Sequence, residues 1–190
     1  MAEKRARWAE DQERFNVDRL VFIDESGAKT NMTRLRGRAQ GGQRVLDSVP
    51  CAHWNSTTML GSLRWDGSTT CMMIEGGTTR EVFREYVRQV LAPSLRPGDI
   101  VIADNLSSHK DPVSEALIKA CGATLRFLPP YSPDFNPIEQ LWSKVKQQLR
   151  SAKARTWESL SDAIAEGMES ISTQDAKGWF FLCGYTISHS

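Results

Sequence analysis

Long apolar runs, paired cysteines and a charge excess of either sign are all missing from this chain. No stretch approaches the roughly 20 consecutive apolar residues a membrane helix needs, and the opening MAEKRARWAEDQERF has no apolar signal-peptide core. A cytoplasmic protein without membrane contact is the expectation. The four cysteines, Cys51, Cys71, Cys121 and Cys183, form no CxxC pair, in a chain too long to read as a disulfide scaffold. They read as reduced core residues, and with no histidine or cysteine cluster zinc is not expected. The net charge of +1 gives no reason, taken alone, to expect a nucleic-acid partner. Internal repeats and low-complexity linkers are absent too.

What is present is an ordinary domain: 190 residues, 40% hydrophobic and 25% charged, enough to bury a real core. RLVFIDES (residues 19–26) is an apolar run ending in a carboxylate, the pattern of a buried strand. STTMLGSLRWDG and STTCMMIEGG (56–67 and 68–77) read as strands joined by an Asp66-Gly67 turn. Residues 79–91 carry helical spacing at Val82, Phe83, Tyr86, Val87 and Val90, with Thr79 as cap. PGDIVIADN (97–105) is a second apolar strand ending in a carboxylate, and DPVSEALIKACG is a helix capped by Asp111 and stopped by Gly122. TLRFLPP is a short strand that runs into a proline loop. Helices follow at 137–150, 157–171 and 173–183. A hairpin group followed by alternating strand and helix predicts an α/β fold, a mixed five-stranded sheet flanked by helices. Residues 1–18 mix acidic and basic side chains and read as a tether or frayed helix with no assigned function, which leaves 19–190 as the domain.

Charge distribution says more than its sum. Lys29, Arg34, Arg36, Arg38 and Arg44 occur without an intervening acid, as do Lys144, Lys146, Arg150, Lys153 and Arg155. Each run is either a solvated face or a phosphate-binding patch.

Asp24 and Asp104 each end a buried apolar strand. Either residue alone caps a loop or serves a site; open α/β sheets place ligands at the carboxyl ends of their strands, where the two would converge if the strands are neighbours. Glu139 is the third candidate. It lies within LPPYSPDFNPIEQLW (128–142), behind four of the eight prolines in the chain, and proline fixes φ and removes a donor. A rigid loop therefore aims the helix behind it. Asn136 suits the N-cap and Pro137 the first helical position, so Glu139 is either a metal ligand near the positive helix end or the reaching-back partner of a capping box. Beyond it, Ser143, Lys146 and Arg150 share the Glu139 face, while Ile138, Leu141, Trp142, Val145 and Leu149 form a separate apolar stripe. Trp142 reads as core. Three carboxylates without a cation repel, and an oxygen-only set favours magnesium or manganese. Two such ions about 4 Å apart suit an in-line phosphodiester displacement.

Together, VFIDESGAKTNMTRLRGRA, IVIADNLSSHK and LPPYSPDFNPIEQLWSKVK resemble the DDE transposases of bacterial insertion sequences, in the mariner-like branch. The interval from Asp104 to Glu139 (139 − 104 = 35, so 34 residues intervene) is the one that branch favours, and the likeness runs from about residue 20 to 185. The resemblance implies a ribonuclease-H-like fold, a metal triad of Asp24, Asp104 and Glu139 holding two Mg2+ or Mn2+ ions, and cleavage and joining of DNA at transposon ends and a TA target. It implies a homodimer assembled on double-stranded DNA, nucleoid-associated when bound. Asn105 and His109 match the second motif and join Lys29, Arg34, Arg36, Arg38, Lys144, Lys146 and Arg150 as expected DNA-facing residues. His109 either contacts phosphate or structures its loop. Glu25, next to Asp24, points to the opposite side of the strand and stays outside the triad. Full-length relatives carry N-terminal helix-turn-helix modules, so a separate helix-turn-helix partner is expected to bind the ends. A ribonuclease-H-like nuclease without transposition, or an inactive remnant that only binds DNA, would carry the same residues.

Overall fold

The computed structural model describes residues 2–34, 36–46 and 56–186; Cys51 lies outside them. Strands β1 (Leu20–Lys29), β2 (Ser56–Arg64), β3 (Thr69–Glu75), β4 (Ile100–Ala103) and β5 (Thr124–Phe127) form one sheet in the order β3-β2-β1-β4-β5. The first three pair antiparallel, while β1, β4 and β5 run parallel. This is the mixed five-stranded sheet expected from the order of elements. Val21, Phe22 and Ile23 form an unbroken apolar run because β1 is central and covered on both faces. Gly67 takes the left-handed conformation (φ 89°) that the turn between β2 and β3 demands.

Alternation along β1 divides the core. Val21 and Ile23 face α2 (Arg80–Tyr86) and α3 (Pro112–Ala120), packing with Phe83, Tyr86, Val87, Leu91 and Ile118. Thr79 and Asp111 cap these two helices as expected, each accepting a backbone N–H three residues on. After Tyr86 the helix widens into a π-helical turn over Val87–Leu91, where a regular helix was expected. Leu20 and Phe22 face the opposite layer, made of α4 (Ile138–Ala152), α5 (Trp157–Glu169) and α6 (Thr173–Leu182). All five members of the apolar stripe on α4 are buried. Trp142 is 2% exposed and lies against Gly61 of β2, where a Cβ would sit 2.7 Å from the indole Cη2. The missing side chain at Gly61 thus sets how closely α4 approaches the sheet.

Of the tether or frayed helix expected at the N-terminus, the helix is what forms, and it is docked. Ala2–Gln12 forms α1, docked by Trp8, which joins the core and donates Nε1–H to Tyr185 Oη (3.1 Å), and by Gln12, which donates Nε2–H to the Cys183 carbonyl (2.8 Å). Two buried side chains among charged neighbours hold it in place. Cys183 is buried, while Cys71 and Cys121 are half-buried; all three are unpaired, and burial pushes the Cys71 thiol up to about 12. Among the described residues no helix is long and apolar enough to cross a membrane.

Candidate active site

β1 and β4 are parallel neighbours with Val21 opposite Val101 and Phe22 opposite Ile102. Two more residues in that register bring Asp24 level with Asp104, which directly follows β4; the strand expected to end at Asp24 instead runs on to Lys29, paired with β2, so Asp24 sits midway along β1. Glu139, in the first turn of α4, faces the same cavity, a space of about 570 Å³ lined by all three carboxylates together with Asn105, Lys110 and the proline loop. The convergence expected from sequence is therefore present.

The three acids occupy unlike surroundings. Asp24 is pushed up to about 7 by burial and then by the negative charges of Glu139 and Asp104. Burial also works against ionised Asp104, but the His109 ring and the Leu106 amide, which donates to Oδ1 (3.0 Å), hold it below the usual carboxylate range. His109 is 1% exposed. Its Nδ1 lies 2.7 Å from Asp104 Oδ1 in a charge–charge contact without hydrogen-bond alignment, and its Nε2 is 3.1 Å from Glu25 Oε2. Against the burial that disfavours its charged form, these two carboxylates push His109 up to about 9. His109 was expected either to contact phosphate or to structure its loop; its buried ring sits between Asp104 and Glu25. Glu25 does point away from Asp24, yet His109 links it to Asp104. Strand alternation gave its direction, and only the loop after β4 could reveal its partner.

Glu139 reaches the cavity by way of the proline loop, which is anchored from a distance. Arg5 of α1 donates to Ser132 Oγ (2.7 Å) and to both carboxylate oxygens of Asp134 (2.6 and 3.0 Å), and its guanidinium lies over the Phe135 ring. Tyr185 Oη donates to the Phe135 carbonyl (2.9 Å). Both ends of the described chain thus hold the loop that aims Glu139. Asn136 has the extended backbone of an N-cap (φ −114°, ψ 94°), but its side chain makes no capping bond; Oδ1 is buried without a partner. The capping box proposed as the alternative role of Glu139 does not form, so its carboxylate is left to the cavity.

The two basic runs lie side by side. Arg34 Nε donates to Ser151 Oγ (3.2 Å), and Arg155 Nη1 donates to the carbonyls of Thr30 (2.9 Å) and Met32 (3.3 Å). Lys29, Arg36 and Arg38 are exposed, and Lys146 and Arg150 are half-buried. Two expected DNA contacts are engaged elsewhere. Lys144 donates Nζ to Asp175 Oδ2 (2.7 Å) and to the Ser170 carbonyl (3.0 Å), tying α4 to the start of α6, and the Asn105 amide donates to the Leu128 carbonyl, tying β4 to β5.

Parallel strands presenting two aspartates beside a glutamate from a flanking helix define a carboxylate site on a ribonuclease-H-like sheet. Residues 19–161 match the family model for DDE superfamily endonucleases, and the chain belongs to that family. Among curated proteins no sequence matches it. Solved structures do match in fold. The Mos1 mariner paired-end complex with Mn superposes with a TM-score of 0.71 at 16% identity, covering 96% of this chain and 57% of that one. The catalytic domain of Mos1 mariner transposase gives 0.65 at 14%, covering 96% and 85%. The catalytic core of BIV integrase gives 0.52 at 17%, covering 80% and 82%. A further Mos1 paired-end complex carries Mg. This chain spans 56% of the Mos1 chain in its strand transfer complex.

Proposed function

We propose that this chain is the catalytic domain of a transposase that cuts DNA strands at element ends and joins the resulting 3′-hydroxyl to a TA target, with Asp24, Asp104 and Glu139 as its metal-binding triad. The observation that carries this reading is the meeting of the three carboxylates on one cavity, where β4 ends beside the middle of β1. Among the described residues no three acidic, histidine or cysteine side chains close tightly on one point, and Asp104 is turned toward His109. The donor set still fits a hard divalent cation: it is all oxygen, and Asp24 is desolvated among like charges. Asp24, Asp104 and Glu139 would hold two Mg2+ or Mn2+ ions, the metals carried by the Mos1 complexes. Ions held by these residues would supply activation of the attacking oxygen and neutralisation of charge on the leaving oxygen.

The chain itself supplies placement. β1 fixes Asp24, the Glu25–His109 pair holds Asp104, and the anchored loop delivers Glu139; a site of this kind tolerates displacements of only about 0.5 Å. Lys29, Arg34, Arg36, Arg38, Lys146 and Arg150 would meet phosphates and set register without reading sequence. Recognition of the ends falls to a separate helix-turn-helix partner, with two copies of the chain assembled on DNA in a cytoplasmic, nucleoid-associated complex. The test is nicking of supercoiled plasmid. We expect activity with Mg2+ or Mn2+, none in chelator, and none from a folded Asp104→Asn variant; nicking that survives chelator overturns the proposal.

A further inference from the structure

Tyr131 combines two features that do nothing for stability. Among the described residues it is the most exposed large hydrophobic side chain, at 86%, so its ring rests on almost nothing. Its φ of 55° lies in the left-handed region, which a bulky L-residue enters only under strain. A glycine would relieve that strain, and a polar side chain would suit that exposure. A ring kept there under strain is a sign of recognition.

Its surroundings say what is recognised. Tyr131 lines the cavity that holds the three carboxylates, and Pro129, Pro130, Pro133 and Leu106 continue its apolar wall. One side of the cavity is acidic and suited, with cations, to a phosphate; the other is flat, apolar and aromatic. A ligand matching both sides carries a phosphate and a planar apolar face, which describes a nucleotide. At about 570 Å³ the cavity falls in the range of about 300–1,000 Å³ typical of sites for small ligands, too small for a duplex. The loop that carries the ring is anchored. Arg5 donates to the Tyr131 carbonyl (3.4 Å) and to the side-chain Oγ of Ser132, the next residue.

We propose that Tyr131 is a base-stacking residue, on which an unpaired nucleobase beside the reacting phosphate rests. This rests on the reading of the cavity as a DNA strand-cleavage site. The base must be unpaired because in a duplex both of its faces are covered by neighbouring bases, and a rigid aromatic ring can accept any base once it is extruded. Lys110, exposed on the same cavity, is placed to meet the adjoining phosphate.

The test compares the full chain with Tyr131→Phe, Tyr131→Ala and Tyr131→Gly. Anisotropy titrations would use two oligonucleotide duplexes, one fully paired and one with unpaired bases at a single interior position. Base–aromatic stacking is worth about 1–3 kcal/mol per base, so we expect Ala and Gly to bind the unpaired substrate about 5- to 150-fold more weakly, with little change on the paired one. Phe should bind as wild type does. Tyr131→Gly should melt at or above the wild-type Tm, because the strain is relieved and no packing is lost. A merely structural role would lower Tm in the Gly variant and weaken both substrates equally, which would overturn the proposal. So would a wild-type chain with no preference for the unpaired substrate, even if metal-dependent plasmid nicking shows the strand-cleavage reading to be sound. A wild type that neither nicks plasmid nor binds either duplex overturns that reading and this proposal with it.

Discussion

Asp24→Asn should make the metal-free protein more stable at neutral and alkaline pH, although it removes a residue central to the proposed chemistry. Burial, followed by the charges of Glu139 and Asp104, pushes the Asp24 carboxyl from 3.8 to about 7. Between those two values the folded chain keeps a proton that the unfolded chain has released, so stability falls as pH rises through the window. Roughly three pH units at about 1.36 kcal/mol each set a ceiling near 4 kcal/mol. Water entering an open cavity reduces the realised figure to about 1–2 kcal/mol, a rise in Tm of about 2–8 °C for a domain of this size. Asparagine keeps the volume and cannot ionise. The difference should vanish below about pH 4, where both side chains are neutral, and reverse in Mg2+, which stabilises only the protein that binds it. Thermal melts from pH 4 to 9, in chelator and in Mg2+, measure all three arms. An Asp24→Asn protein that melts below wild type in chelator at pH 8, or that gains as much from Mg2+, would refute the reasoning.

Three further outcomes follow from the same geometry. His109→Asn should destabilise by about 1–3 kcal/mol by unpairing a buried charge cluster; because His109 is raised to about 9 from 6.5, the deficit should be full below about pH 6.5 and close as pH rises through 9. A deficit that instead grows with alkaline pH would contradict the pairing with Glu25 and Asp104. Neutralising Arg34, Arg36 and Arg38 to Gln should flatten the slope of log K for DNA against log salt by about 2–3, whereas an unchanged slope would mean a solvated surface. Asn136→Ala should stay within about 0.5 kcal/mol of wild type in chemical denaturation, since no cap bond is lost; a loss of about 1 kcal/mol or more would restore the cap.

The strands were legible as apolar runs met by a carboxylate or a turn, in VFID, IVIAD and the Asp66-Gly67 hairpin; what the run in VFID did not show is that β1 continues past Asp24 to Lys29, carried by its pairing with β2. Helix starts at Thr79 and Asp111 were legible for the same local reason, a capping side chain followed by periodic apolar residues. What escaped is what depends on distant partners. Nothing local in α1 announces that Trp8 will meet Tyr185, or that Arg5 will clamp a loop near residue 132. Lys144 looked like one more cation on a basic run until α6 brought Asp175 to it. Asn136 met every local rule for a cap, yet the loop turned its side chain inward, where it is 4% exposed and unpartnered. Of the candidate site, the three carboxylates that line one cavity were legible as motifs, while the Glu25–His109–Asp104 linkage required the fold.

The central claim is that Glu139 works with Asp24 and Asp104 as a ligand of the same cations. Glu139→Gln tests it most directly, because glutamine preserves size and polarity but is a poor metal ligand. The measurement is plasmid nicking in Mg2+ set beside the Mg2+-induced change in Tm, for the variant and wild type. The account predicts a protein that melts within a few degrees of wild type in chelator yet loses both nicking and most of the Mg2+ stabilisation. A Glu139→Gln protein that nicks DNA at the wild-type rate would contradict it and remove Glu139 from the triad.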